Sequence, residues 1–267
     1  MRNGQIKERL SKCFGRAGAW LDDLLFPEKV LCLGCESALG EDDEDGICPA
    51  CRRALDALAA EQETWEKETH DVLPEGIAYV HSAFAYDAQA RTLVRLLKYR
   101  SIRAAALPLA KGMAMLPAGE EELIVPVPTD ERRRKRRGFN QATLIANHLA
   151  VMWGMPVLEA LVRVRPCAPQ TGLNEQQRRE NLVDSMAVSM RSVGQIRRKR
   201  VLLIDDVYTT GSTAAEAARA LLDAGAMSVG ILTAARAHIG NGDKEVPFLA
   251  QYKHAAAAEK RKKPRNT

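Results

Sequence analysis

The chain has 267 residues, of which 46% are hydrophobic, 27% charged and 5% aromatic, and its formal net charge is +5. This length and composition exclude a chain that is disordered throughout and allow one large domain with a small one beside it. They also argue against a membrane span, because no window approaches the roughly 18 uninterrupted apolar residues that a bilayer requires.

Residues 1–26 carry basic and apolar side chains interspersed at helical spacing. This pattern predicts an amphipathic helix. A secretory signal would instead show one compact apolar stretch before a cleavage site of small residues. We therefore expect a cytoplasmic protein that does not insert into a membrane.

Four of the six cysteines form two pairs, Cys32-x2-Cys35 and Cys48-x2-Cys51, with twelve residues between them. Each pair can donate two thiolates from a tight turn, and the four together complete a tetrahedral zinc site with no open position. The alternatives are disulfides, which a reducing cytoplasm disfavours, and a redox pair, which would need a surrounding strand-helix-strand pattern. We expect a structural zinc-ribbon module at residues 27–56 and a linker at 57–76.

After a helix at 52–65, strand and helix patterns alternate along the chain from Ile77. The predicted elements are a strand at 77–86, helices at 88–99 and 102–115, a strand at 123–127, a helix at 140–153, strands at 155–162 and 200–205, a helix at 213–224 and a strand at 228–234. This order predicts an α/β domain at 77–240, in which a parallel sheet is flanked by helices and function lies at the carboxyl ends of the strands. Lys98 and Arg100 are expected only to complement a helix dipole.

An unbroken run of six basic residues occupies positions 132–137. It is either a surface for phosphate groups, of pyrophosphate or of nucleic acid, or the face of a solvated loop. One ligand needs fewer than six charges, so we expect Arg133 and Arg137 near a site and the others on a surface. Residues 253–267 supply the whole net positive charge, and 241–267 are predicted to form a disordered basic tail.

The most specific segment is 201–213, which contains four consecutive apolar residues, the pair Asp205-Asp206 and a loop of small residues, Thr209-Thr210-Gly211-Ser212-Thr213. The apolar run predicts a strand buried on both faces. The loop can turn its backbone N–H groups around a phosphate at the start of the next helix, while the carboxylates suit sugar hydroxyls or a magnesium-bound group. The segment therefore predicts a sugar 5-phosphate site. Simple capping by Ser212 or Thr213 is the alternative, but it uses only one hydroxyl.

The same segment resembles the phosphoribosyl-pyrophosphate motif of type I phosphoribosyltransferases. Further motifs resemble the ComF family of competence-associated, phosphoribosyltransferase-like proteins with an N-terminal double zinc ribbon. These motifs are Val125-Pro-Val-Pro128, Arg137-Gly138-Phe139-Asn140-Gln141-Ala142, Pro169-Gln170-Thr171-Gly172-Leu173 and the four paired cysteines. The chain departs from the family pattern at Cys167 and at residues 184–186, which affects a mobile loop and not the phosphate motif.

The resemblance implies a type I phosphoribosyltransferase fold and a role for each matching residue. Asp205 and Asp206 would hold the ribose hydroxyls of phosphoribosyl pyrophosphate, and magnesium would accompany its pyrophosphate group. The 5-phosphate would be bound by the loop residues Thr209, Thr210, Gly211, Ser212 and Thr213. The candidates for the pyrophosphate and the closing loop are Thr129, Arg133, Arg137, Gln170 and Arg178.

Two functions from different classes remain open. One is a magnesium-dependent phosphoribosyl transferase, a glycosyl transferase acting on a nitrogen nucleophile and associated with DNA uptake and natural transformation. The other is a protein without catalysis. It would be a sensor of phosphoribosyl pyrophosphate or nucleotides, or an adaptor that handles single-stranded DNA and docks a DNA-uptake translocase through its zinc module.

Overall fold

The structure is a computed structural model that describes residues 31–237, apart from 41–42, 44, 69–72, 74, 118 and 165–184. The predicted N-terminal helix at 1–26, the basic tail at 241–267 and the closing-loop candidates Gln170 and Arg178 lie outside the described residues.

The described chain alternates helices and strands. The helices are α1 (Pro49–Glu68), α2 (Ala88–Arg95), α3 (Ala106–Ala114), α4 (Glu131–Arg137), α5 (Gln141–Trp153), α6 (Val193–Ile196) and α7 (Ser212–Asp223). A π-helical turn (Leu96–Arg100) continues α2, and a short 3-10 helix (Arg103–Ala105) precedes α3. The strands are β1 (Ile77–Ala85), β2 (Leu123–Pro126), β3 (Leu161–Arg163), β4 (Met186–Val188), β5 (Arg200–Tyr208) and β6 (Ser228–Arg236).

Four strands form a parallel sheet in the order β1-β6-β5-β2, and β3 pairs with β4 in a separate antiparallel ribbon. The apolar run of β5 contributes to two cores because successive side chains point to opposite faces. Leu202 and Ile204 pack with residues of α2, α3 and α5 on one face. Val201 and Leu203 pack with residues of α7 on the other. The predicted parallel sheet flanked by helices is confirmed.

The cysteine module packs directly against the sheet domain. Helix α1 begins at Pro49, inside the second cysteine pair, and its Leu55 and Leu58 share one core with Cys48, Cys51 and residues of β1 and α2. The helix predicted at 52–65 is three residues longer at each end, and the predicted linker at 57–76, which overlapped that helix, is wrong for residues 57–68. The buried stripe on α1 continues through Gln62, which is 1% exposed, and this stripe holds the helix against the sheet domain.

Two further predictions need correction. The segment predicted as a strand at 155–162 makes only one bridge, between Val157 and Ile124, before β3 begins. Pro156 has no N–H to continue a ladder, and the N–H of Ala160 turns back to the carbonyl of Leu158, so the segment leaves the sheet.

The basic run is the second correction, because it forms helix α4 instead of a loop. The carboxylate of Asp130 accepts the N–H groups of Arg132 and Arg133 at its start, and Gly138, with φ 81°, ends it in a left-handed conformation.

Candidate functional site

A cavity of about 700 Å³ opens where β2 and β5 end. This is the edge at which parallel α/β sheets bind their ligands. Residues predicted from sequence meet there from two different connections: Asp205, Asp206, Thr209 and Thr213 after or within β5, and Thr129, Arg133 and Arg137 after β2. The fold therefore brings seven of the predicted site residues to one cavity, whereas Thr210, Gly211 and Ser212 of the predicted phosphate loop are not among the residues that line it.

Asp206 and Lys98 form the central ion pair of this cavity. The Lys98 Nζ lies 2.8 Å from Oδ1 of Asp206, and the Asp206 side chain is only 12% exposed. Burial acts to lower the pKa of Lys98, but the nearby carboxylates of Asp206 and Asp205 outweigh it and the pKa is raised. The ammonium of Lys98 is consequently charged at neutral pH and lies against the Asp206 carboxyl group.

The neighbouring carboxyl group of Asp205 has a raised pKa, which favours its protonated, neutral form. Burial, and then the negative charge of Asp206, raise the pKa of Asp205 to about 7, although Lys98 and Arg163 act against this rise. The backbone N–H of Asp206 also donates to Oδ1 of Asp205 over 2.8 Å. A carboxyl group in a cavity wall whose pKa lies near neutral is typical of functional sites.

The loop between β5 and α7 leads into a helix start that no side chain caps. Gly211 precedes α7 with φ 72°, a left-handed conformation that suits glycine, and no side chain caps the helix. Simple capping by Ser212 or Thr213 is therefore wrong. The hydroxyls of Thr210 and Ser212 lie 2.9 Å apart and are buried, whereas Thr209 and Thr213 line the cavity. The helix start is left with N–H groups that can receive a phosphate.

The opposite wall is the connection between β2 and α5. Asn140 fixes this connection because its Nδ2 donates to the carbonyl of Val127 over 2.9 Å, while its Oδ1 caps α5 by accepting the N–H of Ala142. The Nε of Arg163 donates to the carbonyl of Pro128 over 3.0 Å, which ties β3 to the same turn. The turn at Thr129 is thus held from two sides.

Helix α4 divides its basic residues between the cavity and the outside. Arg132, Arg133, Arg136 and Arg137 line the cavity, and Arg134 and Lys135 do not. Positions i, i+1, i+4 and i+5 share one side of a helix, which explains the division. The guanidinium of Arg137 lies 6.0 Å from the centre of the Tyr99 ring.

Several cavity residues were missed by sequence reasoning. Lys98, expected only to complement a helix dipole, is the counter-ion of Asp206. Arg163 and Gln141 also line the cavity. Lys98 lies in a π-helical turn that ends at Ser101 with φ 58°. Neither feature is visible in the sequence, so no sequence signal distinguished Lys98.

The four paired cysteines form a second candidate site. Their Sγ atoms all lie within 4.8 Å of one another, and those of Cys35 and Cys48 are 3.6 Å apart. A tetrahedral zinc ion with bonds of about 2.3 Å would separate its sulfur ligands by about 3.8 Å. All four are free thiols. The backbone N–H groups of Gly34 and Cys48 donate to Sγ of Cys32, as suits a thiolate. The cluster can hold a zinc ion and fits a zinc ribbon.

Thiol ionisation in this cluster is uneven. A hydrogen bond from the backbone of Cys51 lowers the pKa of Cys48 to about 6, whereas burial raises the pKa of Cys51. A cation among the four sulfurs favours the thiolate form of all of them.

Among the described helices, none combines the length and apolar character needed to cross a bilayer.

Comparison with known proteins places the chain in a family. The phosphoribosyl transferase domain model matches residues 135–254. Competence protein F of Haemophilus influenzae is 31% identical over 221 residues, which cover 78% of this chain and 90% of that protein. Competence protein ComFC of Bacillus subtilis is 28% identical over 220 residues, covering 80% and 87%. DNA utilization protein YhgH of Salmonella typhi is 32% identical over 204 residues, covering 69% and 87%.

The match to the phosphoribosyl transferase domain and the parallel sheet flanked by helices establish the type I phosphoribosyltransferase fold. The match to competence protein F extends beyond that domain, over most of both chains. The chain belongs to the ComF family.

Proposed function

We propose that the cavity binds phosphoribosyl pyrophosphate with magnesium and that the protein transfers the phosphoribosyl group to a nitrogen nucleophile. The observation that carries this proposal is that β5 supplies two carboxyl groups to the cavity and is followed there by a loop of small residues at an uncapped helix start. Carboxylates accept hydrogen bonds from ribose hydroxyls, and the loop N–H groups accommodate the 5-phosphate.

The division of labour follows from these positions. Asp206, paired with Lys98, and Asp205 orient the ribose, and residues 209–213 fix its phosphate. Thr129, Arg133 and Arg137 face the leaving pyrophosphate, with Gln170 and Arg178 as closing-loop candidates. Magnesium would neutralise charge on that group. In the transfer, the bond between the anomeric carbon and the pyrophosphate oxygen breaks, the pyrophosphate keeps the electron pair, and the nucleophile forms the new bond and loses a proton.

Calorimetric titration with phosphoribosyl pyrophosphate and magnesium tests the binding part. We expect saturable binding by the wild type and at least a tenfold loss in the double variant Asp205→Asn/Asp206→Asn. Asp223→Asn, in the exposed last turn of α7, is the matched control and should bind like the wild type. A folded wild type that does not bind would refute the proposal.

The transfer part needs a separate measurement. Pyrophosphate release is followed over a panel of nitrogen bases after binding has been established. Release that depends on one base, and that the Asp205→Asn/Asp206→Asn variant lacks, supports an enzyme. Binding without release from any base supports a sensor instead.

A second candidate function is favoured by helix α4. This helix buries none of its seven residues and presents six consecutive basic side chains, more than one pyrophosphate group needs. Relatives are named for competence and DNA utilization. The candidate is an adaptor for single-stranded DNA that docks a DNA-uptake translocase through the cysteine module. Salt-dependent binding of single-stranded DNA, lost on neutralising residues 132–137, is its test.

We also propose a structural zinc ion at the four paired cysteines and a cytoplasmic location. The sulfur cluster supports the first proposal, and its four free thiols suit a reducing compartment. Metal analysis of purified protein should find about one zinc per chain, and a clearly lower value would count against a site of four thiolates.

A further inference from the structure

Two buried N–H groups in the cavity wall have no hydrogen-bond partner among the described residues: Nε of Arg137 and Nε2 of Gln141. Gln141 is only 2% exposed. Buried donors in folded proteins are nearly always paired, because a donor that has lost water and gained no acceptor costs free energy. Two such donors in the wall of one cavity point to an acceptor that arrives with a ligand.

Both donors are held firmly in place. Gln141 is the first residue of α5, a helix of 13 residues whose start is fixed to the end of β2 by Asn140. Arg137 is the last residue of α4, and its guanidinium lies 6.0 Å from the centre of the Tyr99 ring. Both donors are therefore positioned by helices, and the start of α5 adds the positive end of its dipole.

The surrounding charges select the kind of acceptor. Arg132, Arg133 and Arg136 line the same cavity. Of the three carboxyl groups that line the cavity, Asp130 is engaged with the backbone N–H groups of α4, Asp206 with Lys98, and Asp205 with the backbone N–H of Asp206. Donors, guanidinium groups and a helix start thus converge with few free acceptors. A phosphate group, which offers only acceptor oxygens and negative charge, matches this surface better than a neutral carbonyl.

We infer that Arg137 and Gln141 form a subsite for the pyrophosphate end of the ligand, in which Nε of Arg137 and the amide of Gln141 donate to phosphate oxygens. The inference rests on the proposed function and adds Gln141, to which neither the sequence motifs nor the relatives give a role. The 5-phosphate and the ribose remain with residues 205–213, so the two ends of the ligand depend on different walls of the cavity.

The subsite is tested with Gln141→Met, which keeps the length of the side chain and removes its amide. In the presence of magnesium, wild type and variant are titrated in separate experiments with phosphoribosyl pyrophosphate, inorganic pyrophosphate and ribose 5-phosphate. We expect at least a tenfold loss of affinity for phosphoribosyl pyrophosphate and inorganic pyrophosphate and less than a twofold change for ribose 5-phosphate. The melting temperature should equal or exceed that of the wild type, because an unpaired buried amide has been removed.

Gln62→Met is the matched control, since Gln62 is equally buried but belongs to α1, away from the cavity. Arg137→Lys is a second variant, which keeps the charge and removes Nε, and Arg134→Lys on the outer side of α4 is its control. Each cavity variant should weaken pyrophosphate binding and each control should not.

The possible failures are distinguishable. If the wild type binds phosphoribosyl pyrophosphate and ribose 5-phosphate but folded Gln141→Met and Arg137→Lys bind both as tightly, only the subsite is refuted. If these variants lose as much affinity for ribose 5-phosphate as for pyrophosphate, the subsite is also refuted, because the two donors would then not bind the pyrophosphate end of the ligand specifically. If the folded wild type binds neither sugar phosphate, the proposed function falls and the subsite with it.

Discussion

The ammonium group of Lys98 lies 2.8 Å from the carboxylate of Asp206, although the two residues are more than 100 positions apart in the chain. Lys98 is supplied by the π-helical turn after α2 and Asp206 by β5. Lys98 thus holds the Asp206 carboxyl group in position in the cavity wall. Asp205, beside it, is left with a raised pKa.

We predict that Lys98→Met makes the binding of phosphoribosyl pyrophosphate dependent on pH. Lys98 acts to lower the pKa of Asp205, so without the ammonium that pKa rises further above about 7 and the protonated carboxyl accepts ribose hydrogen bonds less well. Affinity at pH 6.5 should fall at least tenfold and recover partly by pH 8.5, while the wild type changes less over this range. Calorimetry at several pH values measures both profiles.

Lys98→Arg keeps the positive charge and should restore the wild-type profile. Lys111→Met is the control, because Lys111 pairs with Asp45 and lies outside the cavity. A folded Lys98→Met that shows the wild-type profile would exclude Lys98 as the residue that lowers the pKa of Asp205.

A second prediction concerns the stability of Asp205→Asn. The folded-state pKa of Asp205, about 7, lies above the unfolded value of about 3.9, so the unfolded state ionises first as the pH rises between these values and the folded state loses stability relative to it. Above pH 7 the variant should melt several degrees higher than the wild type, and below pH 4 the difference should vanish. Thermal unfolding at pH 4 to 8 measures this trend. A variant that is less stable at pH 8 would contradict the raised pKa.

Removal of the metal should destabilise the whole described domain and not the cysteine module alone. Cys48 and Cys51 share a core with Leu55 and with residues of β1 and α2. A structural zinc contributes on the order of 10 kcal/mol, so chelation or Cys48→Ser should lower the melting temperature by more than about 10 °C in one cooperative transition. Cys167→Ser, a change outside the two pairs, should retain both metal and stability. Two separate transitions after chelation would show that the module unfolds independently.

The two sides of α4 should behave differently. Arg133→Gln/Arg136→Gln removes charges from the cavity wall and should weaken the binding of phosphoribosyl pyrophosphate by about tenfold or more. Arg134→Gln/Lys135→Gln removes the same charge from the outer side and should change this affinity less than twofold. Titrations at constant ionic strength compare them. If both double variants lose the same affinity for phosphoribosyl pyrophosphate, the basic residues of α4 act only through their long-range positive potential and not through contact with the ligand.

The segment around β5 could be predicted because its pattern is local. Residues 201–204 are apolar and each is fully buried, as a strand covered on both faces requires. The strand runs to Tyr208, three residues beyond the prediction, so Asp205 and Asp206 belong to the strand itself. Polar residues at a strand end give no local signal of where the ladder stops, and pairing with β6 decides it.

The roles that escaped prediction depend on distant partners. Lys98 and Arg100 look alike at a helix end, and only the fold shows that Lys98 meets Asp206. Gln141 stands in a motif but carries no charge, so its burial without a partner for its Nε2 atom became visible only in three dimensions. The predicted linker starts too early, at residue 57, for a similar reason, because the surface against which Leu58 and Gln62 pack lies in other elements.

The position of the bound ligand tests the central claim most directly. A crystal structure of the full chain with phosphoribosyl pyrophosphate and magnesium should show the 5-phosphate on the N–H groups of residues 210–213, the ribose hydroxyls on Asp205 and Asp206, and the pyrophosphate beside α4. A second cavity of about 910 Å³, lined by Met186, Arg197 and Arg219 among others, lies elsewhere on the domain. Ligand found in that second cavity, or bound between β2 and β5 without contact to either aspartate, would contradict the account.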